Sequence, residues 1–141
     1  MIKYRNLLVI IDPDMEMQPA LHRAVEIARL QDDAAITLFM PIYDFSYEIT
    51  SILSVAERDE MRSGVIAQRD AWLKGMILPY QEEGLNLECK VIWHSRPFEG
   101  ILQEISNYKY DLLITSAHQH SLLETFIFTP TDWHLIRKSP I

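Results

Sequence analysis

The sequence predicts a single α/β domain built on an open parallel sheet with helices on both faces. Three observations carry that prediction. Short apolar runs recur at Leu7–Ile11, Ile36–Met40, Leu87–Trp93 and Leu112–Thr115, and helix-period patterns fill the intervals between them. The 141 residues fit one domain, long enough to bury a real core. Strand–helix units repeated at this spacing imply right-handed crossovers, and therefore strands that run parallel.

The first strand, Leu7-Leu8-Val9-Ile10-Ile11, is unbroken by any polar residue until Asp12-Pro13. Such a run suits a central strand covered on both faces. Pro19 stands near a helix start, and Leu21, Ala24, Val25 and Ala28 repeat on one face of that helix. The second strand, Ile36–Met40, is expected to stop at Pro41. A long connection leads to a capping box in Ser54 and Glu57, whose helix carries Met61, Val65, Trp72 and Met76 on one side. Gly64 and Gly75 weaken that helix, and Pro79 with Gly84 ends it or its irregular tail.

In the third strand Glu88 and Lys90 alternate with Leu87, Cys89 and Val91, the pattern of an edge strand with one face partly wet. Pro97 opens a helix with Phe98, Ile101, Leu102 and Ile105 at i, i+3, i+4, i+7. After the fourth strand, Ser116–Phe128 reads as a loop, and Thr129 is placed to cap a short helix with Pro130 at its first position. Beyond Arg137-Lys138-Ser139-Pro140-Ile141 another apolar strand is expected, so the sequence reads as part of a longer protein.

Composition narrows the function. Twenty acidic against thirteen basic residues give a net charge of −7, and an acidic surface repels phosphate backbones, which argues against nucleic-acid binding. No apolar run approaches bilayer-spanning length, and no secretory signal opens the sequence, so a cytoplasmic location is the default expectation. The single cysteine, Cys89, lies in the third strand and reads as a small buried hydrophobe.

Taken together, the segments Val9–Asp12, PIYDFSYE at Pro41–Glu48, WHSRPFEGI at Trp93–Ile101, Leu112–Ser121 and FTPTDWHLIRK at Phe128–Lys138 resemble the universal stress protein family, and its tandem-domain members in particular. The resemblance implies a Rossmann-like sheet of order 3-2-1-4-5, here with the fifth strand missing. On that reading residues 1–141 are one domain of a two-domain protein, and the bare edge of the fourth strand needs a second universal stress domain, in the same chain or a homodimer, to cover it. The strand order reverses between strands one and four, which opens a ligand crevice beyond the carboxyl ends of the strands. In this sequence the crevice is expected to be lined by Asp12, Pro41 and the Ser116–Thr131 segment, including Thr131.

Nucleotide-binding members of the family carry two glycines with two residues between them and, after nine more residues, a third followed by serine or threonine. Those positions fall here on Ser116, Gln119, Thr129 and Pro130. The glycines let backbone N–H groups approach phosphate without Cβ interference, whereas Pro130 has no N–H at all. Asp12 matches a base-contacting aspartate, yet one such residue does not make a triphosphate site. The resemblance therefore implies a stress-response regulatory or interaction domain with a degenerate nucleotide site and no cofactor. The alternative is an adenine-nucleotide binder that uses a rearranged loop.

Other chemistries are weaker. His118 and His120 invite a metal, but no cysteine or acidic ligand stands at a diagnostic spacing, so no metal is expected. Ser95, Ser121, His118 and Asp12 do not compose a hydrolase triad, there is no Gly-x-Ser-x-Gly elbow, and no enzyme is expected. Leu122, Leu123, Phe126 and Ile127 share one face at helical spacing, either as buried lining of the crevice or as a patch for a partner or an apolar ligand.

Overall fold

The computed structural model describes residues 4–13, 15, 17–43, 54–119 and 122–133, with the backbone alone at 117–119 and 122–124. In chain order the elements are β1 (Asn6–Ile10), α1 (Pro19–Arg29), β2 (Ala35–Ile42), α2 (Val55–Glu82), β3 (Asn86–Trp93), α3 (Pro97–Asn107), β4 (Leu112–Gln119), β5 (Leu122–Phe128) and a 3-10 turn at Pro130–Asp132. One sheet runs β3-β2-β1-β4-β5. β1 pairs in parallel with β2 and β4, with Leu7 opposite Ile36 and Leu112, and β2 pairs in parallel with β3. The predicted order holds, and the alternating third strand takes the edge. No described helix is long and apolar enough to cross a membrane.

Each layer follows from the residues. Leu7, Leu8 and Val9 are fully buried because the strand has an apolar side chain for each face. Leu7 and Val9 join Ile36, Leu38 and Met40 beneath α1 and α2, where Ala20, Leu21, Ala24, Val25, Leu73 and Ile77 cover them. On the other face Leu8 and Phe39 pack with Ile105, Tyr110 and Leu113 under α3, joined by Phe128 and Trp133. Two helices cover the first face. On the second, α3 comes close because Gly100 carries no Cβ, which would fall 2.8 Å from Ile92 Cδ1.

The sequence reading of β2 and α2 needs correction at two prolines. Pro41 does not stop β2, which continues to Ile42. Phe39 O accepts from Ile11 N–H and Ile42 O accepts from His94 N–H, so residue 41, two after Phe39, faces the β1 side. β1 has ended at Ile10 there, so the missing N–H forgoes only the bond to Ile11 C=O, just past the end of β1, while β2 keeps pairing with β3. Pro79 lies within α2, and the carbonyl it leaves without an intrahelical donor is that of Gly75, four residues earlier. The helix ends at Gly84, whose φ of 103° is a conformation suited to glycine. Leu85 N–H donates to Tyr80 O and Gly84 N–H to Gln81 O, the paired bonds of a Schellman stop. At the other end the Ser54–Glu57 capping box is formed.

The larger correction concerns the fifth strand. Residues 122–128 are neither loop nor helix; they form β5, antiparallel to β4, with Leu113 opposite Phe128 and Gln119 opposite Leu122. Leu-Leu-Glu-Thr-Phe-Ile-Phe is rich in strand formers, and two residues separate it from β4, the length of a tight hairpin. The edge of β4 is thus covered from within the chain, and the expected bare edge is absent. Strand alternation also places positions 122 and 126 on one face and 123 and 127 on the other, so the four residues share no common face.

A polar cluster sits beneath α3. Glu104, 8% exposed, accepts from Tyr110 Oη–H and from Lys90 Nζ at 2.7 Å. Lys90 Nζ also lies 3.7 Å from the Tyr108 ring centroid. Burial, then the Glu104 hydrogen bond, hold the Tyr110 phenol well above its usual pKa. Desolvation, and then the Asp70 charge, push the Cys89 thiol up to about 11, in keeping with a structural cysteine.

Glu104→Ala leaves a part-buried ammonium and a buried phenol without their acceptor, and is expected to cost about 2–4 kcal/mol in urea denaturation. Arg23→Ala, at the exposed Arg23–Glu26 pair, is the control and should stay within about 0.5 kcal/mol. Equal effects would show that the cluster contributes no more than a surface ion pair. The raised thiol and phenol also fix a pH dependence. Above about pH 9 the unfolded chain releases protons that the folded chain still holds, so stability should be level at pH 7–8 and fall as pH rises through 9–11. Chemical denaturation across that range checks it, and a rise in stability would contradict the burial of both groups.

Candidate functional site

A parallel sheet presents ligands with the carboxyl ends of its strands. β1 gives way there to Asp12-Pro13, β2 to Tyr43, and β3 to His94, which leads into α3. A cavity of about 430 Å³ opens between these ends and α2, lined by Pro13, Pro41, Tyr43, Arg69, Trp93 and Pro97 among others. Tyr43 meets Trp93 edge to face, with ring centroids 5.7 Å apart at 65°. The Arg62 guanidinium lies 5.2 Å from the Trp93 ring centroid, and that of Arg69 5.8 Å from Trp72. Arg62, Val65 and Arg69, spaced i, i+3, i+7, form one stripe of α2.

Two side chains fix the approaches to this cavity. Gln18, 5% exposed at the head of α1, donates from Nε2 to Asp12 O at 2.9 Å and to Met15 O at 2.8 Å. Its Oε1 accepts from Asp12 N–H at 3.4 Å, so one buried amide holds the Asp12 backbone in place. His94 Nδ1 accepts from Arg96 N–H at 2.9 Å and shapes the turn into α3.

The residues predicted for one crevice are not brought together. Asp12 and Pro41 stand at the carboxyl ends of β1 and β2. Ser116 and Gln119 are at the same end of the sheet, but within β4, paired with Thr125 and Leu122 of β5. The buried Ser116 hydroxyl has no hydrogen-bond partner among the described residues. Because β5 runs antiparallel, it carries the chain back, and Thr129, Pro130 and Thr131 follow Phe128 at the amino end of β4. Pro130 lines a separate cleft with Tyr110 and Asp111. There the Asp132 carboxylate accepts from Thr129 N–H at 2.9 Å, and the two threonine hydroxyls of 129 and 131 lie 2.9 Å apart. Along β4, Ser116 stands three residues and Gln119 six from Leu113, which faces Phe128, so about 10–20 Å of strand separates them from the Thr129–Thr131 end.

Of the possible interaction patch, Phe126 is half-buried and Ile127 is 40% exposed. The side chains of Leu122 and Leu123 lie outside the described residues, as do those of His118 and His120. Among the described residues no group of three or more His, Cys, Asp or Glu side chains comes together to hold a metal. Sequence reading missed Gln18, Arg69 and Trp93 as site residues. The arginine stripe on α2 was visible in the spacing, but its neighbour across the cavity was not.

Comparison with known proteins places this geometry. The family model described as the universal stress protein family matches residues 3–141. Universal stress protein E of Salmonella typhi is 53% identical over 140 residues, and that of Escherichia coli K12 is 52% identical; each alignment covers 99% of this chain and 44% of the relative. The homolog from Haemophilus influenzae is 35% identical, covering 99% of this chain and 46% of the relative. The chain spans about half the length of the curated relatives it matches. Among solved structures, the hypothetical protein MJ0577 superposes with a TM-score of 0.69 at 14% identity, covering 99% of this chain and 92% of the other. UspA from Lactobacillus plantarum gives 0.62 at 20% identity, covering 99% and 95%. At such identities these two speak for the fold alone. The family match across nearly the whole sequence, with the relatives' identity over the same span, carries the assignment: the chain belongs to the universal stress protein family.

Proposed function

We propose that this is a cytoplasmic stress-response regulatory or interaction domain with a degenerate nucleotide site that does not bind ATP. The observation that most supports this reading is the path of residues 116–119. Where a phosphate site needs a curled nest of free N–H groups, these residues are extended and run in an antiparallel ladder with β5. Ser116 and Gln119 add side chains where glycines would be required, and Pro130 supplies no N–H from a position at the far end of the sheet. The domain is non-catalytic on the same reading. The Cys89 thiol is held up at about 11 and so remains protonated, and His94 Nδ1 is occupied by the Arg96 N–H.

The domain works paired with a second universal stress domain, in the same chain or as a second copy. The greater length of the relatives supports that reading, and Phe126 and Ile127 on β5 lie at an edge of the sheet suited to such a contact. Sedimentation velocity of this chain should show a reversible monomer–dimer equilibrium that Ile127→Glu shifts towards monomer. A monomer at all concentrations would count against pairing through β5.

Titration calorimetry with ATP and magnesium should give no saturable heat, corresponding to a dissociation constant weaker than about 1 mM. A one-to-one complex in the low-micromolar range would overturn the degenerate-site reading in favour of nucleotide binding through a rearranged loop.

A further inference from the structure

The cavity at the carboxyl ends of β1, β2 and β3 is lined by a cation, Arg69, that has no counter-ion among the described residues. Arg69 is partly buried and lines the cavity, and its guanidinium contact is with the Trp72 ring. Among the described residues it makes no ion pair, although twenty acidic residues are distributed over this chain. Its sequence neighbour Asp70 is taken by Lys74, at 2.8 Å. Among the described residues that line the cavity, none is a carboxylate. A partly desolvated charge without a partner costs free energy, and an anion entering from solvent offsets that cost.

The other walls say what kind of anion fits. Pro13, Pro41 and Pro97 have no N–H to donate, so these walls do not offer the cluster of backbone donors that a phosphate favours. The anion must be held by a side chain, and one guanidinium fork matches the two oxygens of one carboxylate. Proline rings with Tyr43 and Trp93 form an apolar, partly aromatic surface for a flat body. Arg62 over the Trp93 ring fixes the indole and adds positive potential. A volume of about 430 Å³ lies in the range of small-molecule pockets.

We propose that this cavity binds a small aromatic carboxylate, with its carboxylate on Arg69 and its ring against Trp93 and Tyr43. The anion is held on α2, away from the β4 positions at issue for ATP. The two readings therefore fail separately: absence of aromatic carboxylate binding leaves the degenerate-site reading intact, and the reverse also holds.

The test is calorimetry on the full chain with indole-3-carboxylate, its neutral isostere indole-3-carboxamide, and AMP. The carboxylate should bind one to one, about tenfold or more tighter than the carboxamide, and AMP should be weaker than the carboxylate. Arg69→Gln should reduce carboxylate affinity by about tenfold or more, and Arg69→Lys, which keeps the charge but loses the fork, by several-fold. Both variants should melt as the parent does, and Arg23→Gln, at an exposed site on α1, should bind as the parent does. The proposal is overturned by no saturable binding, by equal affinity for the carboxamide, by indifference to Arg69→Gln, or by tighter binding of AMP.

Discussion

The structure depends on one constraint: β1 has no polar side chain over Leu7–Ile10 and must be covered on both faces and both edges. Covering its edges requires β2 and β4 as parallel neighbours, which fixes the reversal of strand order between them. Covering its faces requires α1 and α2 on one side and α3 on the other. Once that arrangement exists, the loops after β1, β2 and β3 gather at one end, and the cavity between Pro13, Pro41, Trp93 and α2 is its by-product. Gln18 then gives that end a fixed shape by holding the Asp12 backbone, so the site rests on a buried amide at a helix start as well as on the sheet.

The direction of β5 decides what the site is able to do. A strand antiparallel to β4 satisfies the sheet edge at once, and in doing so it commits Ser116–Gln119 to a ladder. It also carries Thr129–Thr131 to the opposite end of the sheet. Both consequences come from the same hairpin. Among the described residues, the chemistry at the carboxyl ends comes from α2, the ends of β1, β2 and β3, and the start of α3: guanidinium groups, two aromatic rings, prolines and Asp12, whose backbone Gln18 holds. On the proposed reading, that set suits a flat anion rather than a triphosphate.

Much of this was legible in the sequence, for physical reasons that differ between elements. Buried parallel strands announce themselves as apolar runs, and the capping box at Ser54, Pro19 and Pro97 at helix starts, and Gly84 at a helix stop are local signals that tertiary context did not override. The errors came where local chemistry is conditional. Pro41 ends a strand only if its N–H side faces a partner, and whether β1 reaches that far is a question of register. Pro79 ends a helix only if its neighbours cannot absorb the lost bond. Leu122–Phe128 fits a helical stripe and a strand almost equally well, and the open edge of β4 settles it. The candidate site suffered most, because the positions inferred for it were brought together by resemblance, whereas Arg69 and Trp93 come to line one cavity only through the packing of α2 on β3.

The account turns on the β4–β5 hairpin, and amide hydrogen exchange with cross-strand nuclear Overhauser effects on the labelled chain tests it most directly. Slow exchange at inward-facing amides of Leu113–Gln119 and Leu122–Phe128 is predicted, together with cross-strand contacts between Ser116 and Thr125 and between Ile114 and Ile127. Rapid exchange throughout 116–128, with no contact between those pairs, would contradict it.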